Sequence, residues 1–230
     1  ETVTDDPRIE RLTAGERMLL VECEGRAAVA HRPPGPLPAV EGKRALAVGS
    51  RAADADATPG ERAVGLAALS ALAVPHVQWR RGDPMEGLAG SVETVVTVGL
   101  FRPALGRFGA SEVRVVERDP VEESGPPGVA VSGYAPEDRA AAFAGADVAF
   151  VTGSTLAYGG ADDYLATARG AGVPVVLIGA TASFLPAPAF DSGVAVLAGA
   201  RVTDAAALRA PVERGDCATD VHEAGLEKVF

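Results

Sequence analysis

Residues 151–160, VTGSTLAYGG, leave an apolar run and break into glycine and hydroxyl-bearing side chains. Their backbone amides, with Ser154 and Thr155, offer donors to a neutral or carboxylate group, and their carbonyls offer acceptors to a cation. The helix expected next opens on Asp162 and Asp163. Two carboxylates in a first turn satisfy the positive end of the helix dipole and repel a phosphate arriving there. The loop therefore does not read as a phosphate cradle. A bland alternative stands beside the ligand reading: Ser154 and Thr155 only satisfy the loop's own backbone.

Residues 99–109, GLFRPALGRFG, raise a second question. Glycines 99, 106 and 109 are wrongly spaced for the G-x-G-x-x-G turn of a dinucleotide site, and Pro103 suggests that a helix starts at once. Arg102, beside Phe101, is the strongest candidate for an anion contact, weighed against an ordinary solvated arginine. Glu117 ends the following strand, where a ribose-binding carboxylate stands in dinucleotide folds; a solvated strand end is the alternative. Metal ligands are scarce. His31, His76 and His222 are scattered, and the terminal stretch GDCATDVHEAGLEKVF gathers Asp216, Cys217, Asp220, His222 and Glu223 without tetrahedral-type spacing. Such an end reads more simply as a frayed polar tail or helix. No Ser-His-Asp set can be assembled from sequence order, and no nucleophile elbow is present.

These residues need a scaffold, and the later two-thirds of the chain supplies its pattern. TVVTVGLF, EVRVVERD, DVAFVTGS, PVVLIGAT and VAVLAGAR are near-continuous apolar runs ending in Gly, Ser, Thr or a charge, as expected of strands buried on both faces of a parallel sheet. GVAVSG can add another. PEDRAAAFAG, ADDYLATARG, LPAPAFDSG and TDAAALRAPVERG read as helices between them. Strand–helix alternation of this kind predicts an α/β, Rossmann-like, doubly wound and mainly parallel sheet. Ligands bind such sheets outside the carboxyl ends of the strands, where strand order reverses. The VTGSTLAYGG loop with Gly153, and Gly99, Gly179 and Gly199 as the ends of three other strands, are then expected to share one rim, with Thr181 and Ser183 just beyond Gly179.

The first third reads as a small α+β unit. RMLLVECEG and RAAVAHRP form a hairpin about Glu24-Gly25, PPGPLP is a stiff connector, and RALAVGS is expected to be a third strand. TPGERAVGLAALSALAVP is the best helix: Thr58 and Glu61 make a capping box, Pro59 suits the first helical position, and Pro75 ends it. Its apolar residues run nearly all round, which places it inside. The polar, Gly-rich residues 80–91 suggest a boundary with a short helix from about Pro84. The expected domains are residues 1–82, a small α+β unit, and residues 83–230, the Rossmann-like unit.

Composition narrows the partners. The net charge is −10, with 19 Arg but only Lys43 and Lys228 as lysines. An acidic surface without a basic stripe repels nucleic acid. Acidic, lysine-poor and alanine-rich composition resembles that of salt-loving archaea, so the charge speaks first of solvent. No apolar run is long enough for a spanning helix, and ETVTDDPRIE lacks the basic and apolar regions of a secretory signal. A cytoplasmic protein is expected, with no membrane partner. Cys23 and Cys217 offer no disulfide framework, and Cys23 reads as a small buried apolar residue.

As a set, AVGLAALSAL, TVVTVGLFRPALGRFGASEVRVVERDP, ADVAFVTGSTLAYGGADDYLATAR and VPVVLIGATASFLPAPAFDSGVAVLAGARVTD resemble the putative heavy-metal chelation family across most of residues 60–215. The resemblance implies an N-terminal domain similar to that of enolase, packed on a Rossmann-like domain, with the site in the cleft between them. Gly153, Thr155, Gly179, Ser183, Gly199, Thr203 and Asp204 fall on matching motif positions. The chain departs from the family where Asn is usual, at Ser70 and within Tyr158-Gly159-Gly160, and where Gly-Pro-Ser is replaced by Gly179, Ala180 and Thr181.

Three readings follow. The first is handling of a metal ion or metal-chelating small molecule in the cleft, by Gly99, Phe101, Arg102, Glu117, Gly153, Ser154, Thr155, Gly179, Thr181 and Ser183. A site without clustered His and Cys favours an oxygen-rich metal complex over a bare soft ion. The second is a nucleotide- or adenosyl-dependent transferase or lyase, resting on Glu117. The third is a non-catalytic subunit of a homo-oligomer. Whether the chain is an enzyme stays open at this point.

Overall fold

The computed structural model describes residues 5–84, 92–99, 106–122, 124–218, 220–222 and 224–230. The chain folds as an α/β structure with two sheets, one antiparallel with three strands and one mostly parallel with seven.

The small sheet runs β1 (Arg11–Ala14), β2 (Met18–Cys23) and β3 (Arg26–His31), in that order. The β2–β3 hairpin turns at Glu24 and Gly25, both left-handed with φ of 45° and 78°, as a two-residue hairpin requires. Every residue of β2 is buried. Side chains alternate across a strand, so β2 feeds two cores. Leu19 and Val21 pack with Val64, Ala67 and Leu72 of α2 (Pro59–Ala73). Met18 and Leu20 pack instead with Leu208 and Val212 of α7 (Ala205–Arg214), beside the large sheet. The small sheet thus shares its core with the rest of the molecule. Helix α2 begins as the sequence predicts: Thr58 Oγ1 accepts from the Glu61 amide at 3.2 Å and Glu61 Oε2 accepts from the Thr58 amide at 2.8 Å.

RALAVGS is not a strand. It forms the helix α1 (Ala45–Gly49), started by Asp6 Oδ1 accepting from the Leu46 amide at 2.8 Å. The cause is close packing on α2. Ala45, Val48 and Gly49 are buried at helical spacing, and a Cβ on Gly49 would stand 2.7 Å from Leu69, one on Gly65 3.0 Å from the Val48 carbonyl. The third strand of the small sheet is β1, from RLTA.

The large sheet comprises β4 (Thr94–Val98), β5 (Glu112–Val116), β6 (Ala130–Tyr134), β7 (Val148–Thr152), β8 (Val175–Ile178), β9 (Val194–Val202) and β10 (Leu226–Val229), in the order β10-β9-β8-β7-β4-β5-β6. All neighbours are parallel except β10 on β9. Gly199 does not end a strand: β9 runs on to Val202 because β10 pairs along it, Val229 opposite Gly199. The chain starts at β4, moves outward to β6, returns across α3 (Arg139–Phe143) to β7 on the other side of β4, and moves outward again. Val96, Val98, Ala149, Val151 and Leu177 face a core with Phe143 and Ala168; Val95, Val113, Phe150 and Val176 face another with Phe108. Helices α5 (Ala161–Ala171) and α6 (Ala187–Asp191) follow β7 and β8.

The C-terminal stretch is not a frayed tail. Leu226 is buried beside Leu208 and Val212, and β10 closes the edge of β9. Residues 80–82 then pair with residues 228–230, the Arg80 and Phe230 amides donating to each other's carbonyls at 2.8 and 2.9 Å. The short helix expected from Pro84 lies outside the described residues. Among those described, no helix is long and apolar enough to cross a membrane. Cys23 and Cys217 are free, and burial pushes the Cys23 thiol up to about 11.

Candidate functional site

Strand order reverses between β4 and β7, and a pocket of 310 Å³ opens at that crossover. Its floor comes from the ends of three parallel strands: Val98 and Gly99 after β4, Val116 to Asp119 after β5, and Thr152, Ser154 and Thr155 after β7. His31, from the last position of β3, completes it from the small sheet, with Tyr158, Gly159 and Tyr164 on the remaining side.

The loop after β7 is tighter than its composition suggests. Gly153 donates to the Ile178 carbonyl at 2.7 Å, and a Cβ on it would stand 3.0 Å from the Ala182 nitrogen. Ser154–Tyr158 forms the short helix α4, which buries Thr155 and Ala157 and turns Tyr158 to the pocket. Gly159 and Gly160 then reverse the chain with φ of 88° and 93°, values that side chains other than glycine rarely adopt. Thr155 Oγ1 donates to the Thr152 carbonyl at 2.7 Å, so that hydroxyl serves the loop's own backbone. Thr152 and Ser154 share one hydroxyl contact of 3.1 Å, which leaves acceptor capacity towards the pocket.

The residues named from sequence divide accordingly. Gly99, Glu117, Ser154 and Thr155 line the crossover pocket. Gly153 and Gly179 sit behind it, a Cβ on Gly179 lying 3.9 Å from Thr152 Oγ1. Thr181 and Ser183 are fasteners. Thr181 Oγ1 accepts from the His31 amide at 2.9 Å, tying β3 to the turn after β8; Ser183 Oγ accepts from the Ala200 amide and donates to the Ala180 carbonyl, both at 2.9 Å. Phe101 and Arg102 lie outside the described residues.

Three lining side chains carry chemistry that sequence reasoning did not assign. His31 Nε2 lies 3.1 Å from Tyr158 Oη, with the rings tilted at 49°. Burial lowers the His31 pKa, so the neutral imidazole is the resting form. The Arg118 guanidinium lies 4.7 Å from the centre of the Tyr158 ring, within cation–π range. Among the described residues it has no carboxylate partner, whereas Arg114, Arg201 and Arg209 each hold one. The only forewarning was its position, one residue past Glu117 at a strand end. On the same side of the pocket, burial raises the Tyr164 pKa against the opposing influence of Arg118.

A resident soft-metal centre does not fit this donor set. No group of three His, Cys, Asp or Glu side chains gathers among the described residues. In the terminal stretch, Asp220 accepts from the Cys217 amide at 3.0 Å, and bonds from the Cys217 thiol first and that amide second hold its carboxyl below the usual range. Glu223 lies outside the described residues.

A Rossmann-like sheet with a crossover pocket closed by a small antiparallel sheet defines the class. Within it, the DUF364 family, described as "Putative heavy-metal chelation", matches residues 87–230, and the chain belongs to that family. Two solved members of unknown function share the fold. A Pyrococcus horikoshii protein is 20% identical with a TM-score of 0.75, covering 99% of this chain and 93% of its own. A Desulfitobacterium hafniense DCB-2 protein is 17% identical with a TM-score of 0.76, covering 97% and 91%. No curated protein matches the chain.

Proposed function

We propose that the crossover pocket binds a metal already wrapped by a small carboxylate-bearing chelator. The observation that carries this reading is Arg118. In a chain of net charge −10, it is a cation without a carboxylate partner among the described residues, laid against Tyr158 in the pocket. A planar guanidinium with free donors recognises carboxylates. The family's description supports metal handling, and the donor set accounts for its form. One histidine, two phenols, the Thr152 and Ser154 hydroxyls beside the committed Thr155 hydroxyl, and the Glu117 and Asp119 carboxylates are too dispersed to strip a metal from water, but they suit a preformed complex. Such a ligand carries both signs of charge, and so does the wall formed by residues 117–119.

The chain's own groups divide the work. Arg118 holds a chelator carboxylate, and neutral His31 keeps the Tyr158 hydroxyl oriented by their 3.1 Å contact. Thr152 and Ser154 supply hydroxyl oxygens at the floor. Titration calorimetry with ferric citrate, nickel citrate and free citrate tests the reading. Arg118→Ala should weaken ferric citrate binding about tenfold or more, the scale of a lost charge-assisted bond, with the melting temperature unchanged. Wild-type protein that binds neither chelate, or an Arg118→Ala variant that binds ferric citrate as tightly as wild type, would refute it.

A further inference from the structure

The crevice continues past Arg118. Residues Glu117–Asp119 wall the crossover pocket on one side, and on their other side they wall a second hollow of 260 Å³ between the ends of β5 and β6. Pro120, Val121 and Tyr134 supply the apolar part of that hollow, opposite the polar Glu117–Asp119 wall. Glu117 stands where the two meet. The Glu117 amide donates to the Tyr134 carbonyl at 3.1 Å, which fixes the loop, and Glu117 Oε1 accepts from the Arg118 amide at 2.8 Å. Its Oε2 has no hydrogen-bond partner among the described residues. A half-committed carboxylate thus stands between the crossover pocket and a hollow of mixed polar and apolar lining.

We infer that this second hollow and Glu117 form a binding site for an adenosine-type ribonucleoside. The vicinal ribose hydroxyls donate to Glu117, the base enters the slot between β5 and β6 against Pro120, Val121 and Tyr134, and the 5′ substituent points along the end of β4 towards Gly99. Three features converge on that class. The strand order places β5 next to β4 on the outward side of the crossover, where a strand-end carboxylate meets a ribose in sheets of this topology. The hollow offers 260 Å³ beside Pro120, Val121 and Tyr134, and apolar and aromatic side chains bind bases through their faces. Asp162 and Asp163 fill the first turn of α5, and Asp119 adds a third carboxylate at the rim, which disfavours a polyphosphate and leaves the nucleoside as the recognised part. The inference uses neither His31 nor Tyr158 and does not depend on the chelate reading. Occupied together, the two sites would place the 5′ position of the nucleoside beside the floor formed by Thr152 and Ser154.

Calorimetry on the full chain with adenosine and 2′,3′-dideoxyadenosine tests this directly. Adenosine should bind wild type, and the dideoxy analogue at least tenfold more weakly. Glu117→Gln should weaken adenosine to the level of the analogue and abolish the difference between them, with an unchanged melting temperature. No adenosine binding at millimolar concentration, equal binding of the two nucleosides, or an unaltered Glu117→Gln variant would each overturn the inference. Failure here leaves the ferric citrate titration untouched, so the two proposals fall separately.

Discussion

The substitution Thr181→Val isolates the fastening that brings His31 to the pocket. At the end of β3 the His31 amide donates across to Thr181 Oγ1 at 2.9 Å, and the threonine side chain is 2% exposed. Valine keeps the shape and removes the acceptor, so the main effect is an amide left without a partner. A lost acceptor at a buried site costs about 1–3 kcal/mol, and this bond is only partly buried, so about 1–2 kcal/mol is expected. For a chain of this length each kcal/mol moves the melting temperature by about 2–4 °C, giving a fall of about 2–8 °C. Circular dichroism melting measures that fall, and hydrogen exchange at the His31 amide reports the bond itself, with protection lost in the variant. Because His31 contacts Tyr158, ferric citrate affinity should fall with it, whereas adenosine affinity should hold. An unshifted melting temperature together with a still-protected His31 amide would refute the proposed role of Thr181.

Two further perturbations probe the packing and the titration of the same region. Gly15, in the turn between β1 and β2, leaves no room for a side chain: a Cβ there would stand 1.6 Å from the Val212 carbonyl oxygen. Gly15→Ala should cost about 1–3 kcal/mol by overpacking, seen as a lower urea midpoint with an unchanged slope; an unchanged midpoint would disprove the close approach. Burial lowers the pKa of His31 and, aided by Lys228, that of His222, so the unfolded chain takes up protons more readily than the folded one. Stability should be full above the ordinary histidine pKa of about 6.5 and decline as pH falls below it towards the lowered folded values. His31→Gln should flatten that decline in urea titrations at pH 5 to 7, and a profile as steep as wild type would exclude His31 as a contributor.

The parallel sheet was legible because burial on both faces leaves an unmistakable residue pattern. Runs such as VAFVT and VVLI have few polar interruptions, and they became β7 and β8. The capping box of α2 was legible because its two hydrogen bonds are local in sequence. Short elements were not. Residues 45–49 are a short apolar run that fits a strand or a helix, and the close approach at Gly49 and Gly65 lets the helix settle on α2. The terminal LEKV gives no strand signal by itself; Leu226 is buried by α7, and pairing with β9 supplies the rest.

The candidate site shows the same division between local and distant causes. The rim glycines and hydroxyls announced themselves at strand ends, but three of the four named hydroxyl residues, Thr155, Thr181 and Ser183, fasten the backbone. Their chemistry is the same as that of Ser154, and only the identity of the partner atom separates a fastener from a ligand-facing group. Arg118 differs from its neighbours in a similar way. Nineteen arginines are indistinguishable along the chain, and what sets this one apart is its place in the pocket wall with its guanidinium laid over the Tyr158 ring. His31, at the end of β3, lies 127 residues from Tyr158, at the end of α4, so no spacing rule could pair them. What joins them is the shared core beneath β2, which seats the small sheet against α7 while Thr181 grips the end of β3. If that grip is what positions the imidazole, loosening it must change the pocket without disturbing the crossover strands, and for that reason Thr181→Val should alter chelate binding and spare the nucleoside.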